Sequence, residues 1–200
     1  NSTICKSLVV FSGLLFSNTT NAQKITPIVS AGFGLSDWSL SEGTTVKAGF
    51  LPAFNVGVMA EINVHQSLFV ESGLEYNTAG AELKFDEDYS PGYALQYINL
   101  PVFGKLHFKN GLSVYAGPKA GLLLSADETN KGEPRTDVKD AFKNTDFSIS
   151  GGISYTLAVG IDVGIHYTHG LINIYNNGDT EVRNSSFGMK VGYRIPLSKS

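Results

Sequence analysis

The feature that most constrains this chain is apolar alternation with a period of two. Read in steps of two, residues 25–35, 48–64, 68–76, 94–108, 112–124, 147–157, 159–171 and 187–197 form eight segments, each with one apolar face. Those faces hold 54 positions, and none is Asp, Glu, Lys or Arg. With 16% of the chain charged, about nine charges would fall there by chance. Successive side chains of a β-strand point to opposite sides, so this periodicity predicts strands rather than helices. Alternation also accounts for the composition. The chain is 42% hydrophobic yet its mean hydropathy is zero, because the apolar residues are spread over one face of many strands. No apolar run reaches the roughly 18 residues that a membrane-spanning helix needs. Low charge without low complexity argues against disorder. A net charge of −3 gives no reason to expect a nucleic-acid partner.

The first residues read as an address. Lys6 precedes the apolar stretch Ser7–Phe16, and the small polar run SNTTNA leads to Gln23. That layout predicts a secretory signal at 1–22, cut after Ala22, and one mature domain at 23–200. Cys5, the single cysteine, lies before the apolar run, so neither a disulfide framework nor lipidation is expected.

The connections between segments alternate in length. The short ones are His65–Ser67, Lys109–Gly111 and Thr156–Ala158. The long ones are roughly Ser36–Lys47, Asn77–Tyr93, Ser125–Asp146 and Ile172–Ser186. Gly111 suits the left-handed end of a three-residue hairpin loop. Pairing Phe108 with Leu112, or Val64 with Leu68, keeps each pair on one face. Closure into a barrel removes the two edges that an open sheet would expose. A soluble barrel points its apolar face inward, whereas a membrane barrel turns it to lipid. Here the polar face is dominated by Gly and Ser, which suits the narrow interior of eight strands. Short turns alternating with long loops are the outer-membrane pattern. Phe33, Phe50, Tyr76, Phe108, Phe147, Tyr155, Tyr167 and Phe187 sit on the apolar face toward strand ends, as interfacial girdles require. The expected fold is therefore all-β: a closed, eight-stranded, antiparallel up-and-down transmembrane β-barrel with short periplasmic turns and long extracellular loops.

At this point the chain resembles the outer-membrane β-barrel domain of the "porin family" proteins of Bacteroidota, and is similar to small OmpA/OmpX-type barrels. The resemblance is carried by YINLPVFGKLHF (Tyr97–Phe108), GLSVYAGPKAGLLLSA (Gly111–Ala126), DFSISGGISY (Asp146–Tyr155) and VGYRIPL (Val191–Leu197), in that order. The leader ending NAQ is similar to that group's as well. The resemblance implies an integral protein of the bacterial outer membrane and does not imply one biochemical activity.

The polar face carries Glu61, Glu71, Glu75 and Asp162 against Lys105, Lys119, Lys190 and Arg194, so its charge sums to zero. Charges inside a narrow barrel are costly unless paired. Glu61 and Glu71 face each other across a short turn and repel, which calls for a cation between them; Lys105 is the candidate. Asp162 and Arg194 lie beside that cluster, with Glu75, Lys119 and Lys190 higher in the lumen. The expectation is a lumen plugged by paired charges. Among the histidines, His65 lies in a turn, His107 near the periplasmic end, His166 inward and His169 toward lipid. No serine motif marks a catalytic partner, and His166 and His169 fall on opposite faces, so neither catalytic residues, metal nor cofactor is expected. Asp86–Asp88 and the mixed-charge stretch Asp127–Asp146 read as wet loop surface, with one or two helical turns available to Thr136–Lys143. The expected role is structural or surface recognition. The expected partners are outer-membrane lipid and a protein or surface ligand at the extracellular loops, and the barrel is expected to be monomeric. The alternatives are a narrow channel, an accessory barrel of a secretion or surface machinery, and a lipid-modifying enzyme.

Overall fold

The computed structural model describes residues 25–40, 47–84, 90–130, 134–176 and 180–196. The expected leader and the acidic run Asp86–Asp88 lie outside them. Eight long strands run β1 (Ile25–Leu40), β2 (Leu51–His65), β3 (Leu68–Lys84), β4 (Gly92–His107), β5 (Leu112–Thr129), β6 (Thr145–Thr156), β7 (Ile161–Gly170) and β8 (Val182–Arg194). Each pairs antiparallel with the next, and β8 returns to β1 from Ile28↔Arg194 to Leu40↔Val182. The sheet is a closed up-and-down barrel. Two short strands, Lys47–Gly49 and Thr136–Asp137, extend the wall at the long-loop end.

The apolar faces point outward. Phe33, Val58, Leu74, Leu100, Leu122, Ile165 and Met189 are all exposed, as are most of their neighbours on that face. A continuous apolar belt of this extent has no place in water. Around its long-loop edge Phe33 pairs with Phe54, and Phe54 lies 5.8 Å from the Tyr76 ring. Around the other edge stand Phe108, Tyr155 and Tyr193. Inside, strands approach closely where glycine allows it. A Cβ on Gly73 would lie 2.1 Å from the Val58 carbonyl oxygen.

Several local expectations are corrected. The third short turn is Leu157–Gly160, not Thr156–Ala158, and Leu157 and Val159 belong to it rather than to strands. Leu157 N donates to Ile161 O at 2.8 Å, and Gly160 takes a positive φ of 83°, the counterpart of Gly111 at 87°. The left-handed glycine fixes where each loop ends. Val64 does not pair with Leu68: a bulge leaves it out, and His65 faces Leu68 instead. Thr136–Lys143 contains a single 3-10 turn at Lys139–Ala141.

The strands also run further than their alternation showed. β1, β3 and β5 continue past Leu35, Tyr76 and Leu124 to Leu40, Lys84 and Thr129. Over these extensions the apolar face turns inward. Trp38, Ala79, Ala81, Leu95, Tyr97, Leu123, Ala126 and Val182 form a buried cluster inside the barrel mouth. In β5 the switch is made by a register shift opposite Gln96/Tyr97 that puts both Leu123 and Ala126 inside. The two later long connections are not simply wet surface, because Phe142 and Ile174 fold into this cluster.

Candidate functional site

The lumen is built from the inward positions of the strands, and the structure places all eight alternating-face charges in it. Near the short-turn end, β2 and β3 hold Glu61 directly opposite Glu71. Lys105 of β4 enters between them. Its Nζ lies 2.9 Å from Glu71 Oε2, 3.4 Å from Glu61 Oε2 and 3.8 Å from Asp162 Oδ2. Arg194 of β8 bridges the far side: Nη1 lies 3.2 Å from Asp162 Oδ2, and Nη2 pairs with Glu61 Oε1. Glu61 is 1% exposed and Lys105 4%, so these ions have exchanged water for one another. In a low-dielectric interior such an exchange is tolerable only when each charge is paired and hydrogen-bonded.

A second layer lies above. Glu75 of β3 accepts from Lys119 Nζ at 3.2 Å and from Lys190 Nζ at 3.4 Å. His166 lines a small cavity beside Glu75 and Lys119. Higher still, Asn184 ties the wall together. It donates to Tyr97 Oη at 3.3 Å and to Asp146 Oδ2 at 2.9 Å, and accepts from Trp38 Nε1 at 3.1 Å. The apolar mouth cluster closes above this ring. Three cavities in the lumen measure about 30, 20 and 20 Å³, room for single waters.

One member of the lower cluster was missed from the sequence. His107 Nε2 lies 2.9 Å from Glu61 Oε2, and Nδ1 lies 2.9 Å from Ser113 Oγ. A carboxylate only accepts, so with a neutral ring Nε2 carries the proton and Ser113 donates to Nδ1. The signal was present: His107 shares the inward phase of Lys105, and the Lys109–Gly111 turn sets it opposite Ser113. The other histidines stand apart. His65 is at the β2–β3 turn, and His169 is on the outer wall, stacked with Tyr167 at 6.4 Å. The connectivity Ser113–His107–Glu61 is that of an acyl-transfer triad. Ser113, however, has no exposed surface for a substrate to reach.

The mouth holds a larger cavity. About 370 Å³ is lined by Trp38, Tyr93, Phe142 and Tyr175, with Glu128 and Thr180 among the polar lining. Trp38 stacks on Tyr93 at 5.3 Å, and Phe142 lies 5.8 Å from Tyr175.

Comparison with known proteins agrees with this architecture. The chain matches the profile of the family described as "Outer membrane protein beta-barrel domain" over residues 13–176. No curated protein matches by sequence. Among solved structures, Neisserial surface protein A is similar at 14% identity with a TM-score of 0.58, over 86% of this chain and 99% of that one. The outer membrane protein OprG from Pseudomonas aeruginosa is similar at 14% identity with a TM-score of 0.51, over 88% of this chain and 98% of that one. At such identities these structures speak for the fold alone. With the outward apolar belt, the aromatic girdles and a profile match over most of its length, the chain belongs to the outer membrane protein β-barrel domain family and is an integral barrel of the bacterial outer membrane.

Proposed function

We propose that this barrel is sealed, and that it serves the outer membrane as a structural and surface-recognition element rather than as a conduit. The observation that carries the reading is the filling of the lumen. Two layers of ion pairs and an apolar mouth cluster follow one another along the lumen, and the cavities described among the charges measure about 20–30 Å³. A hydrated ion or solute needs a continuous aqueous path, which such a filling does not offer. The wall is then a rigid platform, and the chain's contact with the outside runs through its long connections. A protein or surface ligand at those loops is the partner class this reading calls for, and a monomer suffices. The buried Ser113 hydroxyl supports packing rather than hydrolysis as the role of the His107–Glu61 contact.

Planar-bilayer recording tests the seal. The purified wild-type barrel is expected to insert without discrete conductance steps. Reproducible unitary steps that change on Lys105→Ala or Glu71→Ala would overturn the reading in favour of a channel.

A further inference from the structure

The cavity at the barrel mouth has a chemistry of its own. Its walls come from the inward faces of β1, β3, β4, β5 and β8 and from the connections that carry Phe142 and Tyr175. At about 370 Å³ it is more than tenfold larger than any of the three lumen cavities, and it falls in the range of small-ligand sites, for which barrel mouths are a common setting. Four aromatic rings line it, and the Trp38 ring is held in place by its hydrogen bond to Asn184. One carboxylate joins them. Glu128 stands directly opposite Tyr93 on the paired strand, so both side chains leave the same face of the sheet. It is half-buried, it accepts from Asn130 Nδ2 at 3.3 Å, and among the described residues no Lys, Arg or His forms an ion pair with it.

The faces of aromatic rings are the negative side of their quadrupoles, and a carboxylate in the same wall adds a negative charge. Both favour a cation. The apolar bulk of the lining favours one whose charge is dispersed over methyl or methylene groups and which gives up its water cheaply. We infer that the mouth cavity binds a small organic cation, an alkyl- or arylammonium, against Trp38, Tyr93 and Tyr175 with Glu128 as its counter-ion. The cation arrives free from solution, because the residues that line the cavity lie on inward strand faces and on the connections rather than on the outward apolar belt. The inference deepens the surface-recognition reading and rests on it, by naming the ligand class that the mouth selects.

The chain contains a single tryptophan, and it stands in this wall, so Trp38 emission reports occupancy directly. The experiment titrates benzyltrimethylammonium into the full-length barrel in a non-ionic detergent, with phenylmethanesulfonate as the anionic counterpart. The cation is expected to change the emission saturably and the sulfonate not at all. Glu128→Gln is expected to weaken the apparent affinity by about tenfold, and Tyr175→Ala to weaken it as well, while the heat-modifiable gel shift of a folded barrel is kept. No saturable response, equal response to the anion, or wild-type affinity in Glu128→Gln would overturn the inference. So would a response already saturated by phosphatidylcholine bilayers alone, which would make the occupant a lipid headgroup. None of these outcomes bears on the sealed lumen, which conductance tests separately.

Discussion

Lys105 is the residue on which the lower lumen turns. Three carboxylates lie within 4 Å of its ammonium, and two of them face each other across a strand pair. Replacing it by methionine keeps the volume and removes the charge, leaving Glu61, Glu71 and Asp162 with Arg194 as their remaining full cation nearby. Breaking a buried pair from one side typically costs about 3–5 kcal/mol. Lys105→Met is therefore expected to lower the urea midpoint of the refolded barrel by a corresponding amount. The double variant Lys105→Met/Glu71→Gln should recover part of that loss, since the pair 2.9 Å apart is removed together. His107→Ala should cost less, roughly 1–3 kcal/mol, because it leaves one acceptor and one hydroxyl short of a partner rather than a charge unpaired. Equal losses for Lys105→Met and His107→Ala in equilibrium unfolding would contradict this ordering.

At the scale of strands, the apolar belt marks how far the wall is in lipid. Val58 lies midway along β2 on the outward face, between the girdle at Phe54 and the short-turn end. An arginine at the bilayer midplane costs about 2–4 kcal/mol in such barrels and little near the interface. Val58→Arg is expected to fall in that range, and Thr129→Arg, at the outer tip of β5, to be close to neutral. Similar costs at the two sites, measured by unfolding in lipid vesicles, would mean that the belt is misplaced. The same boundary explains what the sequence disclosed and what it did not. Within the belt, lipid outside and polar side chains inside impose one phase, so strand existence, face and closure were legible from residues such as Val56, Val58 and Ile62. Beyond it the wall stands in water and behaves like a soluble barrel, so Trp38, Ala81 and Leu95 face inward and the phase reverses. A reader following one phase sees only loops there. The bulges at Val64 and beside Gln96/Tyr97 are hidden for a related reason: one extra residue changes the register without changing the composition. The lumen charges were visible as a set because their phase is unambiguous. His107 was passed over because a histidine near a turn carries no charge signal, although its phase matched that of Lys105. Phe142 and Ile174 lay in stretches whose mixed charges looked wet, and no local pattern announces that a long connection folds back into the barrel.

For the molecule as a whole, the decisive property is that its seals lie in series. The ion-pair layers close the lumen within the belt, and the mouth cluster of Trp38, Leu95, Tyr97, Phe142 and Ile174 closes it again outside. Resistances in series are dominated by whichever seal remains. Opening one should therefore leave the barrel silent. Phe142→Ala removes a buried ring from the mouth, with a stability loss of about 3–5 kcal/mol expected for such a cavity, yet the charge layers beneath remain intact. Lys105→Ala with Glu71→Ala empties part of the lower layer, yet the mouth cluster remains. The combination, Phe142→Ala and Ile174→Ala together with Lys105→Ala and Glu71→Ala, breaches the mouth and the lower layer but leaves Glu75 and its two lysines standing between them, so it too is expected to stay silent in planar bilayers. Conductance is expected only when Glu75→Ala with Lys119→Ala is added to that combination, which opens the last layer. A selective pore behaves differently: its conductance is present in the wild type and responds to the lumen charges alone. Channel steps from the single lumen pair, with the mouth untouched, would show that the mouth is no seal and that the barrel's resistance resides in its charges.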